Sequence, residues 1–421
     1  MDRDSSLPRP LDVWECRRQF PALSKRENGL PVMFFDAAAG TQVPHDVLDA
    51  VVRYLVETNA NHGGMFATSR ESDALLFSAR TALADFLGAD DPDTIVFGAN
   101  MTTLTFAFSR ALARTWKPGD EILLTRMEHD ANFTPWIRAA EEAGVQVQIA
   151  NIRPEEGTLD LEDFVHKLTP RTRLVAVTAA SNAIGTLTPI PEIVRQAHAA
   201  GALVFLDAVH YAPHRCIDVV GWDIDFLVCS GYKFFAPHVG ILWGKRRFLE
   251  SLPAYKVRPA PNGLPDRWMT GTQNHEGIAG AAAAVEYLAE IGRRSDPRAT
   301  GRRAALQAAF QAVAQHEHGL VAALLQDLAD CPGIRVWGIP VADADRRVPT
   351  VSITHRRLPA RELAEYLAAR SIFTWHGNFH ALPLTEVLGA EPDGLLRISM
   401  VHYNTHEEVA RLISALRELG P

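Results

Sequence analysis

Short β-branched or apolar runs alternate with longer segments of helical period between residues 94 and 244. The runs predict strands at 94–97, 121–124, 145–149, 174–178, 203–206, 226–229 and 240–243. The segments between them predict helices at 102–112, 132–143, 161–167 and 190–200. This alternation is typical of βα units around a mostly parallel sheet. We therefore predict an α/β fold built on a large, seven-stranded type of sheet.

The chain of 421 residues is longer than one hydrophobic core usually supports, which favours a second, smaller domain. A Pro/Gly-rich stretch at 253–265 breaks the alternating pattern, and an Ala-rich helix is predicted at 277–291. Beyond it, helices at 304–328, 360–369 and 407–419 alternate with strands at 334–336, 350–354 and 396–400. We predict a large domain at 31–285, a small α+β domain at 286–421, and an N-terminal segment at 1–30 that packs on the small domain.

Charge and cysteine content exclude several classes of protein. The formal net charge of −8 disfavours binding to nucleic acid or to an anionic membrane surface. No uninterrupted apolar run approaches the length of about 18 residues that a membrane span needs. The four cysteines show no CxxC spacing and are too few for a disulfide framework, so we expect a cytoplasmic protein.

Two polar residues follow neighbouring strands of the predicted sheet, where ligands of α/β proteins gather. Asp207 ends the run at 203–206, and Lys233 follows the run at 226–229. A lysine that forms a Schiff base and a carboxylate that keeps a pyridine nitrogen protonated are what pyridoxal phosphate requires. Either residue alone is more often a helix cap or a solvated surface group. The pair is suggestive but generic.

Ordered motifs around this pair make the prediction more specific. They are SNAIGT at 181–186, FLDAVH at 205–210, SGYK at 230–233 and TGTQN at 270–274. With them the chain resembles the class V aminotransferase group of fold-type I pyridoxal phosphate enzymes. Within that group it resembles the branch of cysteine desulfurases, selenocysteine lyases and isopenicillin N epimerases. The resemblance runs from FFDAA at 34–38 to RISMVHYNT at 397–405.

The resemblance implies a role for each residue around the cofactor ring. Lys233 would form the Schiff base with pyridoxal 5'-phosphate, and Asp207 would hold the pyridine nitrogen. His129 matches the histidine that stacks on the ring, although it could instead cap a helix near Asn132. Asn182 would lie near the phenolic oxygen. His210 occupies the position where relatives show Gln, and it preserves a hydrogen-bond donor.

The resemblance also implies a phosphate site and a dimer. The backbone that opens the helix at Met101 and Thr102 would bind the phosphate, because a helix N-terminus favours an anion. Ser230 would assist, and Tyr232 could reach the phosphate or merely pack. A threonine of the neighbouring subunit completes this site in the family, and Thr272 matches it, which implies a homodimer.

The substrate side of the site combines one match with one departure. Arg397 matches the arginine that binds the α-carboxylate of an amino acid, although an arginine in such a strand could also form a surface ion pair. Desulfurases carry a nucleophilic cysteine in the loop that corresponds to residues 375–383, and here His380 falls at that position. A mechanism through a cysteine persulfide therefore lacks its thiolate.

The leading hypothesis is a lyase that cleaves a C–S bond by β-elimination, through an external aldimine and a Cα carbanion. The alternative is an epimerase or a class V aminotransferase that uses the same carbanion, with His380 or Tyr232 as a second acid. A true cysteine desulfurase, or a protein that binds the cofactor without turnover, is less favoured. No metal is predicted, because Pro213 and Gly377 interrupt the two His-x3-His pairs and neither has the glutamate of a zinc protease motif.

Overall fold

A computed structural model of the chain describes residues 9–27 and 29–420. Residues 1–8 and 28 of the predicted N-terminal segment lie outside this part, as does residue 421. No helix in the described ranges is long and apolar enough to cross a membrane. The helices are α1 (Val13–Arg18), α2 (His45–Arg53), α3 (Ala67–Leu87), α4 (Met101–Ala113), α5 (Thr134–Ala143), α6 (Leu161–Lys167), α7 (Ile190–Ala199), α8 (Arg246–Ser251), α9 (His275–Ser295), α10 (Arg302–Ala329), α11 (Ala360–Ala368), α12 (Leu382–Val387) and α13 (His406–Arg417).

The strands form one large sheet, one four-stranded sheet and three short pairs. They are β1 (Arg26–Glu27), β2 (Leu30–Pro31), β3 (Met33–Phe34), β4 (Ile95–Gly98), β5 (Glu121–Thr125), β6 (Gln146–Ala150), β7 (Ile152–Arg153), β8 (Thr158–Leu159), β9 (Thr172–Thr178), β10 (Leu203–Asp207), β11 (Phe226–Ser230), β12 (Gly240–Gly244), β13 (Ile334–Trp337), β14 (Thr350–His355), β15 (Ile372–Phe373), β16 (Trp375–Gly377) and β17 (Leu395–Ser399).

The large sheet has seven strands in the order β4-β12-β11-β10-β9-β5-β6. All neighbours are parallel except β12, which runs antiparallel to both β11 and β4. The predicted α/β fold with a mostly parallel, seven-stranded sheet is therefore confirmed. Its central strands β9, β10 and β11 are buried almost throughout, because helices cover both faces of the sheet.

The strand register brings polar residues together at the carboxyl edge of this sheet. Asp207 pairs with Thr178 of β9 on one side and with Val228 of β11 on the other. Strand β11 continues two residues further to Ser230, and a 3₁₀ turn of residues Gly231–Lys233 follows directly. Parallel strands end at the same edge, so Asp207 and Lys233 reach one region of the molecule.

The C-terminal part of the chain forms a second core around an antiparallel sheet of order β13-β14-β17-β16. Apolar residues of α10, α11 and α13 pack against this sheet. Strand β3 from near the start of the chain pairs in parallel with β15, and Ser399 N donates to Phe35 O. Helix α9 runs through the boundary predicted between residues 285 and 286, and the division into domains stays a prediction.

Candidate active site

A cavity lies at the carboxyl edge of the large sheet, and its empty space, counted out to the open solvent, is about 510 Å³. Its location is that of a small-molecule site in an α/β protein. The cavity collects the residues that the sequence predicted for the cofactor in one subunit, namely Met101, Thr102, His129, Asn182, Asp207, His210, Ser230, Tyr232 and Lys233.

Asp207 places a buried carboxyl group in the cavity wall. Only 3% of the residue is exposed, and Oδ1 accepts a hydrogen bond from Val209 N at 2.9 Å. Burial raises the pKa of this carboxyl to about 6, against the opposing effects of Val209 N–H and the Lys233 charge. A cationic partner in the cavity would stabilise the carboxylate and offset the free-energy cost of burying its charge.

Lys233 places an amine next to that carboxyl. Its Nζ donates to the carbonyl oxygen of Ala38 and lies 4.7 Å from the ring centroid of Tyr232. Burial, and then the charge of Arg397, lower the pKa of the amine to about 7, although Asp207 opposes the shift. A large fraction of the amine is therefore neutral at physiological pH, which is the form that attacks an aldehyde or accepts a proton.

The N-terminus of α4 is prepared for an anion. Met101 N donates to Ser230 Oγ at 3.2 Å, and Thr103 N donates to the capping side chain of Asn100 at 2.9 Å. Within the described residues, Thr102 N has no hydrogen-bond partner, although its residue lines the cavity. A free N–H at the positive end of a 13-residue helix fits a phosphate group.

His129 caps a turn and also lines the cavity, and its stacking on the cofactor ring stays a prediction. Its Nδ1 accepts a hydrogen bond from Ala131 N at 3.0 Å and so caps the 3₁₀ turn of residues Asp130–Asn132. Burial, followed by the charge of Lys233, lowers the pKa of the imidazole to about 3. The ring is therefore neutral with its proton on Nε2, and it lines the cavity.

Arg397 lies next to Asn182, which lines the cavity, although Arg397 itself is not among the lining residues. Arg397 NH1 donates to the carbonyl oxygen of Asn182 at 2.9 Å, and the guanidinium lies 4.3 Å from the ring centroid of Phe379. Burial lowers the pKa of Arg397 to about 9, so the group remains charged at neutral pH. Its Nε and the Oδ1 of Asn182 are buried without a partner in the described chain, which fits binding of a further polar group.

Three predicted site residues are not among the lining residues of the cavity, and Arg397 is one of them. His380 is exposed in the loop after β16, and its ring centroid lies 5.5 Å from that of His129. Thr272 lines a separate surface depression together with Gln273 and His275. The predicted contribution of Thr272 to a neighbouring subunit requires a second chain and stays a prediction.

Three contributors to the site were missed at the sequence level. Ala38 provides the carbonyl oxygen that accepts from Lys233. Asp36 has a buried Oδ1 without a partner in the described chain, and burial raises the pKa of its carboxyl to about 6. Glu128 is fully buried behind the cavity and accepts from Thr178 N. The motif at 34–38 had been noted, but a sequence alone does not bring it to Lys233 across 195 residues.

Comparison with known proteins assigns the family. A model described as "Aminotransferase class-V" matches residues 33–412. The chain belongs to the class-V aminotransferase family. It is 31% identical to a cysteine desulfurase of Pectobacterium atrosepticum and 35% identical to an aminotransferase-like protein of Gibberella zeae. These matches cover 97% and 96% of this chain, respectively, and 98% of each relative.

A solved structure supports the same assignment. The apo cysteine desulfurase of Thermococcus onnurineus NA1 superposes with a TM-score of 0.86 and 26% sequence identity. The match covers 98% of this chain and 99% of that structure. This class-V aminotransferase is therefore a pyridoxal phosphate-dependent, cysteine desulfurase-like enzyme of fold type I.

The cavity fits this cofactor. It combines an amine of lowered pKa at Lys233, a buried carboxyl at Asp207 and a free helix N–H at Thr102, which suit the aldehyde, the pyridine nitrogen and the phosphate, respectively. Among the described residues, no three His, Cys, Asp or Glu side chains are grouped as metal ligands.

Proposed function

We propose that this member of the class-V aminotransferase family is a lyase. It would cleave the C–S bond of a cysteine-like amino acid by β-elimination. The observation that carries the proposal is a cavity lined by a base and by no thiol, with a buried arginine next to its wall. Lys233 supplies the base, Arg397 donates to the carbonyl oxygen of Asn182 in the wall, and no cysteine is among the lining residues. Elimination needs these groups but does not need a cysteine nucleophile.

The four cysteines lie in the described chain, and none is among the lining residues of the cavity. Cys16, Cys229 and Cys331 are buried, and Cys216 is half-buried. Burial raises the pKa of every one of these thiols, to about 12 for Cys16. None is therefore prepared to act as the thiolate of a desulfurase. Because all four are free, we also propose a reducing, cytoplasmic location.

The proposed reaction assigns one task to each of three side chains. Arg397 binds the α-carboxylate, where its planar fork suits two parallel hydrogen bonds. Lys233 removes the Cα proton, because with a pKa of about 7 a substantial fraction of its amine is neutral at physiological pH. His380 stands exposed next to His129 and can protonate the departing sulfur. Bound pyridoxal phosphate supplies the electron sink for the charge left on Cα.

The products distinguish this function from its rivals. With L-cysteine, the holoenzyme is expected to release pyruvate, ammonia and sulfide in equal amounts, and an S-alkyl cysteine should give the matching thiol. A desulfurase would release alanine and leave a persulfide on the protein. Deuterium uptake at Cα without pyruvate would instead support an epimerase, and amino transfer to a keto acid would support an aminotransferase.

Replacement of the most accessible thiol provides a direct prediction. Cys216→Ala is expected to leave pyruvate formation unchanged within about twofold, because this thiol is protonated and remote from the cavity. The matched variant is Cys331→Ala in the second core. Turnover and persulfide content should be measured for both. A large loss of activity in Cys216→Ala alone, with persulfide lost as well, would contradict the lyase proposal.

We further propose that the enzyme works as a homodimer. Residues 52–66 expose five large apolar side chains, those of Val52, Leu55, Val56, Met65 and Phe66. The depression lined by Thr272 also includes Asn61 and His62, so this stretch of the chain reaches the surroundings of Thr272. Burial of such a surface against a second copy would stabilise the dimer.

Disruption of this surface is expected to weaken cofactor binding as well as association. Val56→Asp should shift the protein toward monomer in analytical ultracentrifugation, and its dissociation constant for pyridoxal phosphate should rise about tenfold because Thr272 is lost from the neighbouring site. Val341→Asp, at an exposed valine far along the chain, is the control and should change neither value. A monomeric wild-type protein with full activity would refute the proposal.

A further inference from the structure

A chain of hydrogen bonds connects the cavity to the sheet of the small domain. Thr350 and Ser399 are direct partners on β14 and β17, both are fully buried, and their hydroxyl oxygens lie 3.0 Å apart. His210 Nε2 lies 3.0 Å from Thr350 Oγ1. At the other end, Ala38 N donates to Ser399 Oγ at 2.9 Å. The chain therefore runs from Ala38 through two hydroxyl groups to a residue of the cavity wall.

The direction of these hydrogen bonds follows from a count of protons. A backbone N–H only donates, so Ser399 Oγ accepts from Ala38. The hydroxyl of Ser399 must then donate its own hydrogen bond to another acceptor. In the part of the chain that the structure describes, Thr350 Oγ1 is its only other partner. Thr350 accepts from Ser399, and its own hydroxyl then donates a hydrogen bond to His210 Nε2. The reverse order would leave a buried hydroxyl proton of Ser399 without an acceptor, which is unfavourable.

The same count fixes the tautomer of His210. Burial, and then the neighbouring His214, lower the pKa of this imidazole well below its usual range, so the ring is neutral. A neutral ring whose Nε2 accepts a hydrogen bond carries its proton on Nδ1. Nδ1 makes no hydrogen bond to the described chain, and the residue lines the cavity. Its N–H is therefore available to a ligand.

We propose that Thr350 and Ser399 are positioning residues that hold His210 in its Nδ1–H form, so that the ring donates a hydrogen bond to an anionic oxygen in the cavity. The phenolate oxygen of pyridoxal phosphate has this chemistry, and the inference rests on the site proposed above. An amide side chain offers a donor in any environment, whereas a neutral imidazole offers one on a single nitrogen. A histidine at this position therefore needs its tautomer fixed.

The backbone around Thr350 keeps the hydroxyl in place. Arg347 NH2 donates to the carbonyl oxygen of Thr350 at 2.8 Å. Gly185 lies against the same carbonyl with φ +76°, and an added Cβ would stand 2.4 Å from that oxygen. Only glycine permits this approach without displacement of β14. The start of β14 is thus held from both sides.

The tautomer is measurable in the protein without substrate. In nitrogen-15 NMR spectra of histidine-labelled protein, His210 is expected to show a protonated Nδ1 and an unprotonated Nε2 at neutral pH. Its signals can be assigned by their loss in His210→Gln. A protonated Nε2 in the wild-type protein, or a doubly protonated ring, would overturn the proposal. This NMR measurement does not require turnover. A failure to form pyruvate would therefore refute the proposed function but not the proposed tautomer.

Variants of Thr350 test the positioning role. Thr350→Val should abolish the preference for the Nδ1–H tautomer and raise the dissociation constant for pyridoxal phosphate about tenfold. Thr350→Ser retains the hydroxyl and should restore both values to within about twofold. Thr94→Val removes another buried hydroxyl, which bonds to Asp91 O away from the cavity, and should change neither. An unchanged tautomer in Thr350→Val would overturn the proposal.

Discussion

Replacement of Lys233 by alanine is expected to lower kcat/KM by at least about 10³-fold, because the variant loses both the nucleophile for the cofactor and the base for the Cα proton. No other lysine lines the cavity among the described residues, so no second amine can take over. Pyridoxal phosphate should still bind, but borohydride should no longer fix it to the protein. Lys167→Ala removes an amine that is paired with Asp163 on α6, and it serves as the control.

The pH dependence of cofactor uptake tests the electrostatics behind this prediction. Because the pKa of Lys233 is about 7, about half of the amine is neutral at that pH, and the neutral fraction levels off only above it. The rate of covalent attachment to the cofactor-free protein should follow the same curve, measured by the absorbance of the bound cofactor. A solvated lysine, with a pKa of about 10.4, would give a rate that still rises at about pH 9. Such a rise would contradict the assigned burial.

Asp207→Asn is expected to lower kcat by about 10²- to 10³-fold with little change in the fold. Asparagine has the shape of aspartate, but it carries no negative charge and cannot keep the pyridine nitrogen of the cofactor protonated. The bound cofactor would then be a weaker electron sink. Turnover per bound cofactor should be measured, since this ratio separates lost chemistry from lost binding. Equal turnover in the variant and the wild-type enzyme would refute the role of Asp207.

The matched control for this variant is Asp225→Asn. Asp225 is also a buried aspartate next to a strand of the large sheet, but it precedes β11 at the opposite edge. It accepts from Val204 N and pairs with Lys245. Its replacement should lower the melting temperature, because it breaks a buried ion pair, and should leave turnover per bound cofactor unchanged. A similar loss of turnover in both variants would indicate a general effect of buried charge.

The sequence predicted the elements of the sheet well, because buried parallel strands are nearly continuous apolar runs. Helix α6 (Leu161–Lys167) has its predicted bounds, and most other elements differ by a few residues at their ends. Helix α3 (Ala67–Leu87) was missed. Its buried stripe includes Ser69 and Ser72 along with Leu76 and Leu83, whereas Phe77 is exposed. Polar residues in the buried stripe and an apolar residue outside it weaken the periodicity that identifies a helix.

The candidate site was predictable only where the residues follow a strand or a family motif. Asp207 and Lys233 could be found from their place after apolar runs, and His129 or Arg397 from the resemblance. The contacts of Ala38 with Lys233 and with Ser399 join parts of the chain that lie 195 and 361 residues apart. Such contacts depend on how the two cores pack, which local patterns do not encode.

The distance along the chain between Ala38 and Ser399 also has a consequence for biosynthesis. Ala38 lies in the wall of the cavity, and its partner Ser399 on β17 is synthesised 361 residues later. Synthesis proceeds from the N-terminus, so the large sheet can form before β17 is present to support this wall. We expect that a nascent chain arrested before β17 captures the vitamin B6 cofactor poorly, and that loading follows the synthesis of β17.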